Sequence, residues 1–344
     1  MISTMPTSGR GYAKGVQLHL LVRLMPRIWP VTRYFSGLLW LAQVRRLVRK
    51  IKPDILHAHY ITVYGCLGAV SGFHPFVVSA WGSDVLIEPR QNFFLKAITE
   101  YALKGANMVI CDAEHIVEEL VKQGAPQEKT ELIYFGTDTS KFKPGQKSTN
   151  LKERLGILDS AVVISLRSLK PTYNIESLLK AIPLVLEAVP EAKFIIAGDG
   201  DQRQYLENLA MSLGVLDSIR FIGMIPNDEL PQYLTSSDVY VSTSLSDAGL
   251  SASTAEAMAC GLPVIITDFG DNRKWVEDGV NGFIVPLRNP GALASRIIYL
   301  LRNEDERVKF GQANRRIIEE TNNYETEMGK VEKIYDELIV RCKK

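Results

Sequence analysis

The most informative segment of the chain runs from Ser242 to Ile266 and reads STSLSDAGLSASTAEAMACGLPVII. A loop of small residues leads into a helical pattern near Ser253, and the helix ends before Gly261. Such a loop presents free backbone N–H groups and the positive end of a helix dipole, where a diphosphate can bind. Glu256, in the first turn, is placed to accept hydrogen bonds from two ribose hydroxyls. Taken alone, Glu256 would be better explained as a helix-start carboxylate favoured by the dipole.

Strands and helices alternate on both sides of this segment. In the C-terminal half, strands are predicted at Val162–Leu166, Lys193–Ala197, Ile219–Ile222, Val239–Ser242, Pro263–Thr267 and Gly282–Val285, with helices at Ile175–Ala188, Gln202–Leu213 and Ser253–Cys260. In the N-terminal half, strands are predicted at Ile55–His57, Phe76–Ala80, Met108–Cys111 and Leu132–Tyr134, with helices at Asn92–Lys104 and Ala113–Gln123. This order predicts an α/β fold with parallel sheets that are covered by helices on both faces.

Three parts are expected along the chain. Residues 1–145 and 146–320 each predict a Rossmann-like domain, and the stretch Phe142–Asn150, rich in Pro, Gly and polar residues, predicts a linker between them. Residues 321–344 predict a helix that packs back on the first domain. Because Val16–Val22 is the first convincing strand, the first βα unit is expected to be missing. Either the fold begins unusually, or the chain is truncated or starts at an internal Met.

Composition sets limits on the class of protein. A chain of 344 residues, 46% hydrophobic and 23% charged, predicts two domains of ordinary globular composition. Its four cysteines lack the spacing of a zinc site or a disulfide framework, which is typical of a reducing cytoplasm. No run approaches the ~18 apolar residues of a membrane span. We therefore expect a soluble cytoplasmic protein.

The charges are unevenly distributed. The first 53 residues carry ten Lys and Arg and no Asp or Glu. Within Leu20–Leu47, aromatic and aliphatic residues alternate with arginines, a mixture that suits an anionic membrane surface. A pair of core-packed helices with solvated arginines explains the same pattern equally well. Nucleic acid is not an expected partner, because no nucleic-acid-binding motif accompanies the basic residues.

The run Ala255-Glu-Ala-Met-Ala-Cys-Gly-Leu-Pro-Val264 closely resembles the signature of the family 4 retaining glycosyltransferases. The resemblance continues through the segments at 197–200, 221–223, 237–238, 270–272 and 277–286, and more weakly at 81–84 and 136–138. It implies the GT-B architecture, in which two Rossmann-like domains face each other across a donor/acceptor cleft. The domain at 1–145 would then take the acceptor, and the domain at 146–320 would bind the nucleotide sugar.

The resemblance also assigns residues to the donor. It implies Glu256 on the nucleotide ribose, Ala248, Gly249, Leu250, Ser251 and Ser253 around the sugar and phosphates, Ile222 and Gly223 beside the base, and Gly198 and Asp199 in the same crevice. For Gly198 and Asp199, an ordinary tight turn is an equally good interpretation.

The chain departs from the family around the diphosphate. Where the family usually has a Glu, eight positions before the ribose Glu, this chain has Ala248. Asp247, one residue earlier and one methylene shorter, is the candidate carboxylate for the hydroxyls of the transferred sugar. The family commonly has an Arg followed five residues later by a Lys, whereas here the candidates are Arg167 and Lys170. We expect Arg167 to clamp the leaving diphosphate with help from Lys170, because cations stabilise the charge that develops there. A solvated loop is the alternative for this pair.

The acceptor-side candidates are His59, Trp81 and Asp84. Trp81 takes the place of a His in many relatives and is expected to stack on a sugar ring. His57 and His59 end a strand on the same side, and we interpret them as cleft-lining or strand-end side chains. No third ligand stands at metal spacing, so neither a metal nor another cofactor is expected. Tyr60 is a further candidate acceptor contact, with core packing as the favoured interpretation.

These residues together predict retaining transfer of a hexose or N-acetylhexosamine from a nucleoside diphosphate sugar, UDP- or GDP-linked, to a hydroxyl. The acceptor is expected to be a glycan or a lipid-linked molecule in cell-surface glycan synthesis, such as lipopolysaccharide, capsule or glycolipid. The enzyme would then work at the inner face of the membrane. Two alternatives stay open, a non-catalytic nucleotide-sugar-binding scaffold subunit and a GT-B sugar-nucleotide epimerase. A dinucleotide dehydrogenase is disfavoured, because no GxGxxG follows a first strand.

Overall fold

The computed structural model describes residues 32–247 and 249–342. The predicted strand at Val16–Val22 and the site residue Ala248 lie outside these ranges, as does the first part of the basic Leu20–Leu47 stretch. Contacts divide the chain into two units, Met1–Tyr134 with Gly329–Lys344, and Phe135–Met328. Residues 135–145 are thus grouped with the second unit, whereas the sequence analysis placed the boundary after residue 145.

The described part of the first unit contains a parallel sheet in the order β1-β2-β3-β4. Its strands are β1 (Leu56–His59), β2 (Phe76–Ser79), β3 (Met108–Cys111) and β4 (Thr130–Leu132). All four residues of β2 are buried, which explains why this strand reads as a continuous apolar run. The predicted strand at Leu132–Tyr134 was placed two residues too late. The reason is that β4 lies at the sheet edge and begins with the polar pair Thr130 and Glu131.

Short helical elements connect these strands. The α-helices of the first unit are Thr32–Ile51, Cys66–Ser71, Ser83–Leu86, Glu88–Gln91, Phe93–Gly105 and Glu114–Lys122, and a π-helix spans Ile61–Gly65. The helix Tyr324–Cys342 starts in the second unit, and its part from Gly329 onward belongs to the first. None of the described helices is both long enough and apolar enough to cross a bilayer.

The second unit is built on a parallel sheet in the order β10-β9-β8-β5-β6-β7. Its strands are β5 (Val162–Leu166), β6 (Lys193–Ala197), β7 (Ile219–Gly223), β8 (Val239–Ser242), β9 (Val264–Thr267) and β10 (Gly282–Val285). Its α-helices are Thr149–Leu155, Ile175–Ala188, Arg203–Ser212, Leu230–Thr235, Ala252–Ala259, Asn272–Trp275, Pro290–Arg302 and Glu304–Thr321. The α/β prediction with two parallel sheets is therefore confirmed.

The sequence order reverses between β5 and β8, the two central strands of this sheet. The chain leaves these two neighbouring strands toward opposite sides of the sheet, and this leaves a crevice at their carboxyl ends. Ligands of open α/β sheets bind in such a crevice. The loop after β5 and the loop after β8 therefore open into the same place.

The predicted linker Phe142–Asn150 is too long, because a helix begins at Thr149. Ser148 is the N-cap of this helix, and its hydroxyl accepts a hydrogen bond from the Leu151 N–H at 3.2 Å. The polar run that suggested a linker is in part a helix-start signal.

Candidate functional site

Hydrogen bonds join the loop that follows β5 to the loop that follows β8. The Leu245 N–H donates to the Thr172 carbonyl at 2.8 Å. The Thr243 hydroxyl donates to the carbonyls of Tyr173 and Asn174, each at 2.9 Å. Because these bonds fix the backbone of both loops, side chains on either one are held at defined positions.

Arg167 follows β5 directly and is buried, with 7% of its surface exposed. Its guanidinium donates to the Asp247 carboxylate and, at 3.3 Å, to the Ser253 hydroxyl. The group also lies 4.4 Å from the centre of the Tyr173 ring, in a cation–π contact. One arginine thus connects the β5 loop, the β8 loop and the start of the helix Ala252–Ala259. Its Nε–H is buried and has no hydrogen-bond partner within the described part of the chain.

Arg167 and Asp247 form a buried ion pair. Burial lowers the pKa of Arg167, but the charge and hydrogen bond of Asp247, together with Tyr240 and Tyr173, outweigh burial and raise that pKa, so the guanidinium stays protonated. Burial raises the pKa of Asp247, and Arg167 opposes this shift. Each of the two buried charges is therefore stabilised by the other. An anionic ligand bound to Arg167 would neutralise the guanidinium in place of Asp247.

The helix Ala252–Ala259 starts at the same place. Ser251 is its N-cap, and its hydroxyl accepts from the Thr254 N–H at 3.4 Å. The Ser253 hydroxyl is 2.8 Å from the Tyr240 hydroxyl, which anchors the first turn to β8. Gly249 is buried in the preceding loop. The structure thus brings Arg167 and Ser253 together at a helix N-terminus, where backbone N–H groups and the dipole favour an anion.

Glu256 lies one turn after Ser253 and therefore on the same side of the helix. Its carboxylate is partly buried and forms no hydrogen bond or ion pair with the described residues. Burial raises its pKa to about 7, although the charge of Lys141 lowers it in part. A carboxylate with unused acceptor positions beside an anion site is suited to bind hydroxyl groups.

Gly198 and Gly200 are required by close packing of two loops. A Cβ on Gly198 would lie 2.3 Å from the Arg167 carbonyl oxygen, and the backbone φ angle there is +132°. A Cβ on Gly200 would lie 2.3 Å from the Leu169 carbonyl oxygen. The loop after β6 thereby supports the loop that carries Arg167. Asp199 is exposed, and its carboxylate accepts from the Gly200 N–H at 2.8 Å, as in an ordinary turn.

The remaining predicted donor residues are less closely connected. Ile222 and Gly223 end β7, which is the edge strand. The Gly223 carbonyl accepts from the Gly198 N–H at 2.7 Å, which links this end to the same row of loops. Lys170 is exposed, and its ammonium has no hydrogen bond or ion pair within the described ranges. Leu250 is partly buried in the loop before Ser251.

Sequence reasoning missed two tyrosines and one serine of this site. Tyr240 is fully buried on β8 and positions Ser253, while Tyr173 lies against the Arg167 guanidinium. The Ser244 hydroxyl is 3.5 Å from an Arg167 nitrogen. Only Tyr173 could have been found from the sequence, since it stands six residues after Arg167 in the same strand-to-helix loop.

In the first unit, two histidines stack at the end of β1, with 4.3 Å between the ring centres of His57 and His59. His57 Nε2 is 2.8 Å from the Ser79 hydroxyl, and its Nδ1 is hydrogen bonded to the Tyr335 hydroxyl. Burial lowers the pKa of both histidines. The Trp81 ring meets His59 edge to face at 5.9 Å and is 48% exposed. His59 and Trp81 are therefore adjacent, and their role on the acceptor side stays a prediction.

Asp84 has a different place from the one its prediction suggests. It is fully buried, and its two oxygens accept the N–H groups of Ile61 at 2.7 Å and Trp81 at 2.9 Å. Burial raises its pKa to about 6, and these two bonds oppose the shift. Asp84 therefore fixes the backbone of Trp81. Tyr60 is half-buried, and its hydroxyl donates to Glu88 at 2.6 Å, so the expected core packing of Tyr60 is wrong.

Within residues 32–247 and 249–342, no group of three His, Cys, Asp or Glu side chains is placed to hold a metal ion. The same residues contain no disulfide bond.

Family comparisons agree with this geometry. Residues 147–317 match the family described as "Glycosyl transferases group 1", and residues 3–113 match "Glycosyl transferase 4-like". The chain is 30% identical, over 266 residues, to a GDP-mannose-dependent alpha-(1-6)-phosphatidylinositol monomannoside mannosyltransferase of Mycolicibacterium smegmatis, with 74% of this chain and 68% of that protein covered. It is 27% identical to spore coat protein SA of Bacillus subtilis, of whose length it spans 61%.

Solved structures show the same fold. The HepE protein of Anabaena, in complex with UDP, superimposes with a TM-score of 0.77 at 22% identity and covers 90% of this chain and 85% of its own. A sucrose-phosphate synthase from Thermosynechococcus elongatus gives a TM-score of 0.73 at 21% identity, with 91% and 81% covered. Both matches extend over the two parallel sheets.

Proposed function

The chain belongs to the glycosyl transferases group 1 family, and on that premise we propose that it is a retaining glycosyltransferase acting on a nucleoside diphosphate sugar. One observation carries the proposal. Buried Arg167 is bonded to Ser253 at a helix N-terminus, and Glu256, one turn further, has a carboxylate without a hydrogen-bond partner among the described residues. This arrangement offers one place for a diphosphate and one for ribose hydroxyls.

The chemistry follows from charge. Breaking the bond between the sugar and the diphosphate puts negative charge on the leaving oxygen. Arg167, the N–H groups at the helix start and Lys170 would stabilise that charge, because preorganised donors in a buried site need no rearrangement during the reaction. The acceptor hydroxyl would attack from the same face of the sugar and give its proton to the departing phosphate oxygen. The anomeric configuration is then retained without an enzyme nucleophile.

The donor is proposed to be UDP- or GDP-linked. The named relative from Mycolicibacterium smegmatis is described as GDP-mannose-dependent, and the Anabaena HepE protein has been solved with UDP-glucose. Both bases therefore occur among similar proteins, and the transferred sugar is proposed to be a hexose or an N-acetylhexosamine.

The acceptor is proposed to be a glycan or a lipid-linked sugar, and the product part of a cell-surface glycan. The Trp81 ring is half exposed, contacts the His59 ring edge to face, and has its backbone N–H bonded to Asp84. An exposed ring in a fixed position supports a role in stacking on a sugar. The phosphatidylinositol monomannoside named for the Mycolicibacterium smegmatis relative is a lipid-linked sugar of this kind.

A non-catalytic nucleotide-sugar-binding subunit is the second candidate. The ion pair between Asp247 and Arg167 favours this candidate. Because the Asp247 carboxylate already neutralises the Arg167 guanidinium, Arg167 would bind phosphate less strongly.

Binding and turnover of a donor panel test both candidates. UDP-, GDP- and ADP-sugars are measured by calorimetry and by release of the nucleoside diphosphate, with wild type, Glu256→Ala and the control Glu187→Ala, an exposed Glu on the helix Ile175–Ala188. We expect one donor to bind and turn over, Glu256→Ala to lose binding, and Glu187→Ala to behave as wild type.

Each other result has a defined meaning. A donor that binds without diphosphate release, even with membrane extracts as acceptor, favours the binding subunit. Conversion of the donor without an acceptor indicates an epimerase. If no nucleotide sugar binds, or if Glu256→Ala binds the donor as wild type does, the assignment of this site is wrong.

A further inference from the structure

The helix Phe93–Gly105 of the first unit carries large apolar side chains on the solvent side. Phe93 is 85% exposed and Phe94 is 66% exposed. Ile87, shortly before this helix, and Tyr101, two turns into it, are about half exposed. Single exposed apolar residues are common on proteins, but a contiguous group of large ones marks an interaction surface.

The geometry of this helix places its exposed aromatic side chains on one surface. Thr99, Ala102 and Leu103 are buried, and they define the inward side of the helix. Phe94 and Tyr101 are seven residues apart, which places them on one side of the helix, two turns from each other. The Asn92 side chain accepts from the Leu95 N–H at 2.9 Å and caps the helix. The two phenylalanines therefore project from an ordered first turn.

Cations border this surface, which we call the aromatic face (Phe93, Phe94 and Tyr101). Arg90, Lys96 and Lys104 are exposed on the same segment. Two of these cations have acidic partners, since Arg90 forms an ion pair with Glu119 at 3.0 Å and Lys96 lies 3.9 Å from Glu100. Glu88 accepts hydrogen bonds from Tyr60 and Thr62.

More basic charge lies on the helix Thr32–Ile51. Its last turns expose Arg46, Arg49 and Lys50, and no acid precedes Asp54 in the sequence. Arg45 of this helix donates to the Val70 carbonyl at 2.8 Å. The aromatic helix contacts the same short helix Cys66–Ser71, because a Cβ on Gly105 would lie 2.9 Å from that of Ala69. Both helices thus contact the helix Cys66–Ser71, the aromatic helix through its last residue, Gly105.

We propose that the aromatic face docks the protein on an anionic lipid bilayer. Aromatic side chains would enter the boundary between headgroups and acyl chains, and the surrounding Lys and Arg would lie against lipid phosphates. No described helix can span a bilayer, so the attachment is peripheral. The residues of the aromatic face are not part of the Leu20–Leu47 stretch, in which the sequence indicated membrane contact. It also does not depend on which acceptor the enzyme uses.

Vesicle flotation with the full chain tests the proposal. Vesicles of phosphatidylcholine with about one third phosphatidylglycerol are compared with vesicles of phosphatidylcholine alone. The variants are Phe93→Ser/Phe94→Ser and, as control, Met211→Ser/Val308→Ser, which removes two exposed apolar side chains from the second unit. We expect wild type and control to float with the anionic vesicles, and the aromatic variant to bind at least about tenfold more weakly. Binding should also weaken in high salt, because the cations contribute.

Folding and donor binding are followed in parallel. Since Phe93 and Phe94 are exposed, the aromatic variant should keep the wild-type thermal midpoint and the wild-type affinity for a nucleotide sugar. Failure of the donor assay therefore bears on the proposed function alone. Lys96→Glu/Lys104→Glu, which keeps the aromatic residues, should lose the preference for anionic vesicles.

Three results would overturn the proposal. Wild type could fail to bind anionic vesicles at low salt, or the aromatic variant could bind them as wild type does. Sedimentation could also reveal a wild-type dimer that Phe93→Ser/Phe94→Ser dissociates, in which case the aromatic face covers a second copy of the chain instead.

Discussion

Replacing Glu256 by Gln should stabilise the folded protein at neutral pH and weaken donor binding. Burial raises the pKa of this carboxyl from 4.5 to about 7, so the folded protein holds its proton more tightly than the unfolded chain does between those pH values. The free energy of unfolding of wild type therefore falls as the pH rises from about 4.5 to about 7. At 1.36 kcal/mol per pH unit, ionised Glu256 destabilises the folded state by up to about 3 kcal/mol above pH 7. A neutral amide avoids this cost.

Urea unfolding of wild type and Glu256→Gln at pH 5 and pH 8 measures the effect, with Glu187→Gln as an exposed control. The variant should be more stable than wild type at pH 8 by up to about 3 kcal/mol, and the difference should be small at pH 5. Donor affinity should fall at least about tenfold, because a carboxylate hydrogen bond is worth about 1.5–3 kcal/mol and an amide accepts less well. Equal stability of wild type and variant at pH 8 would refute the assignment of a buried, partnerless carboxylate.

Three further changes probe the loops, and Gly214→Ala serves as a control for the first. Gly198→Ala should unfold more easily by at least about 2 kcal/mol and lose activity, since its Cβ would meet the Arg167 carbonyl at 2.3 Å. Gly214→Ala, with positive φ but nothing within 4 Å, should cost only about 1 kcal/mol in the same urea experiment. Asp247→Asn should destabilise the unliganded protein by about 3 kcal/mol and tighten nucleoside diphosphate binding in calorimetry; weaker binding would mean that Asp247 contacts the donor instead. Asp84→Asn should cost about 1–3 kcal/mol in thermal or urea unfolding, because an amide nitrogen would face a backbone N–H, and unchanged stability would contradict its bonding.

The central strands could be predicted from the sequence because both of their faces are buried. The interior strands β5, β6 and β8 lie where the apolar runs place them, and so does the edge strand β10, of whose four residues three are buried. The helix Ile175–Ala188 matches its prediction at both ends, since its apolar residues recur with helical period. The edge strand β4 was misplaced because it carries little apolar signal, and the short helices between β1 and β3 have too few residues to show a period.

In the candidate site, too, the residues with a local sequence signal could be predicted and those that depend on distant contacts could not. Arg167, Ser253 and Glu256 were predicted because each stands at a strand end or a helix start, and these positions can be recognised locally. The ion pair of Arg167 with Asp247 joins residues 80 positions apart, and no local pattern indicates it. The role of Gly198 as a support for Arg167 depends on a distance between two loops, which a sequence does not contain.

The chain path of the second unit has a consequence for how such proteins diversify. Phe135–Met328 interrupts the first unit, which resumes at Gly329 and contributes Tyr335 beside His57. The two passages lie side by side, because Thr137 pairs with Asn323 in a β-bridge and the Thr137 N–H donates to the Asn322 carbonyl at 2.8 Å. The second unit is thus an insertion with adjacent ends. Recombination between relatives can exchange it at these two points in one event while leaving the histidine cluster of the other unit intact. If this unit binds the donor, as proposed, such an exchange would give a new donor specificity.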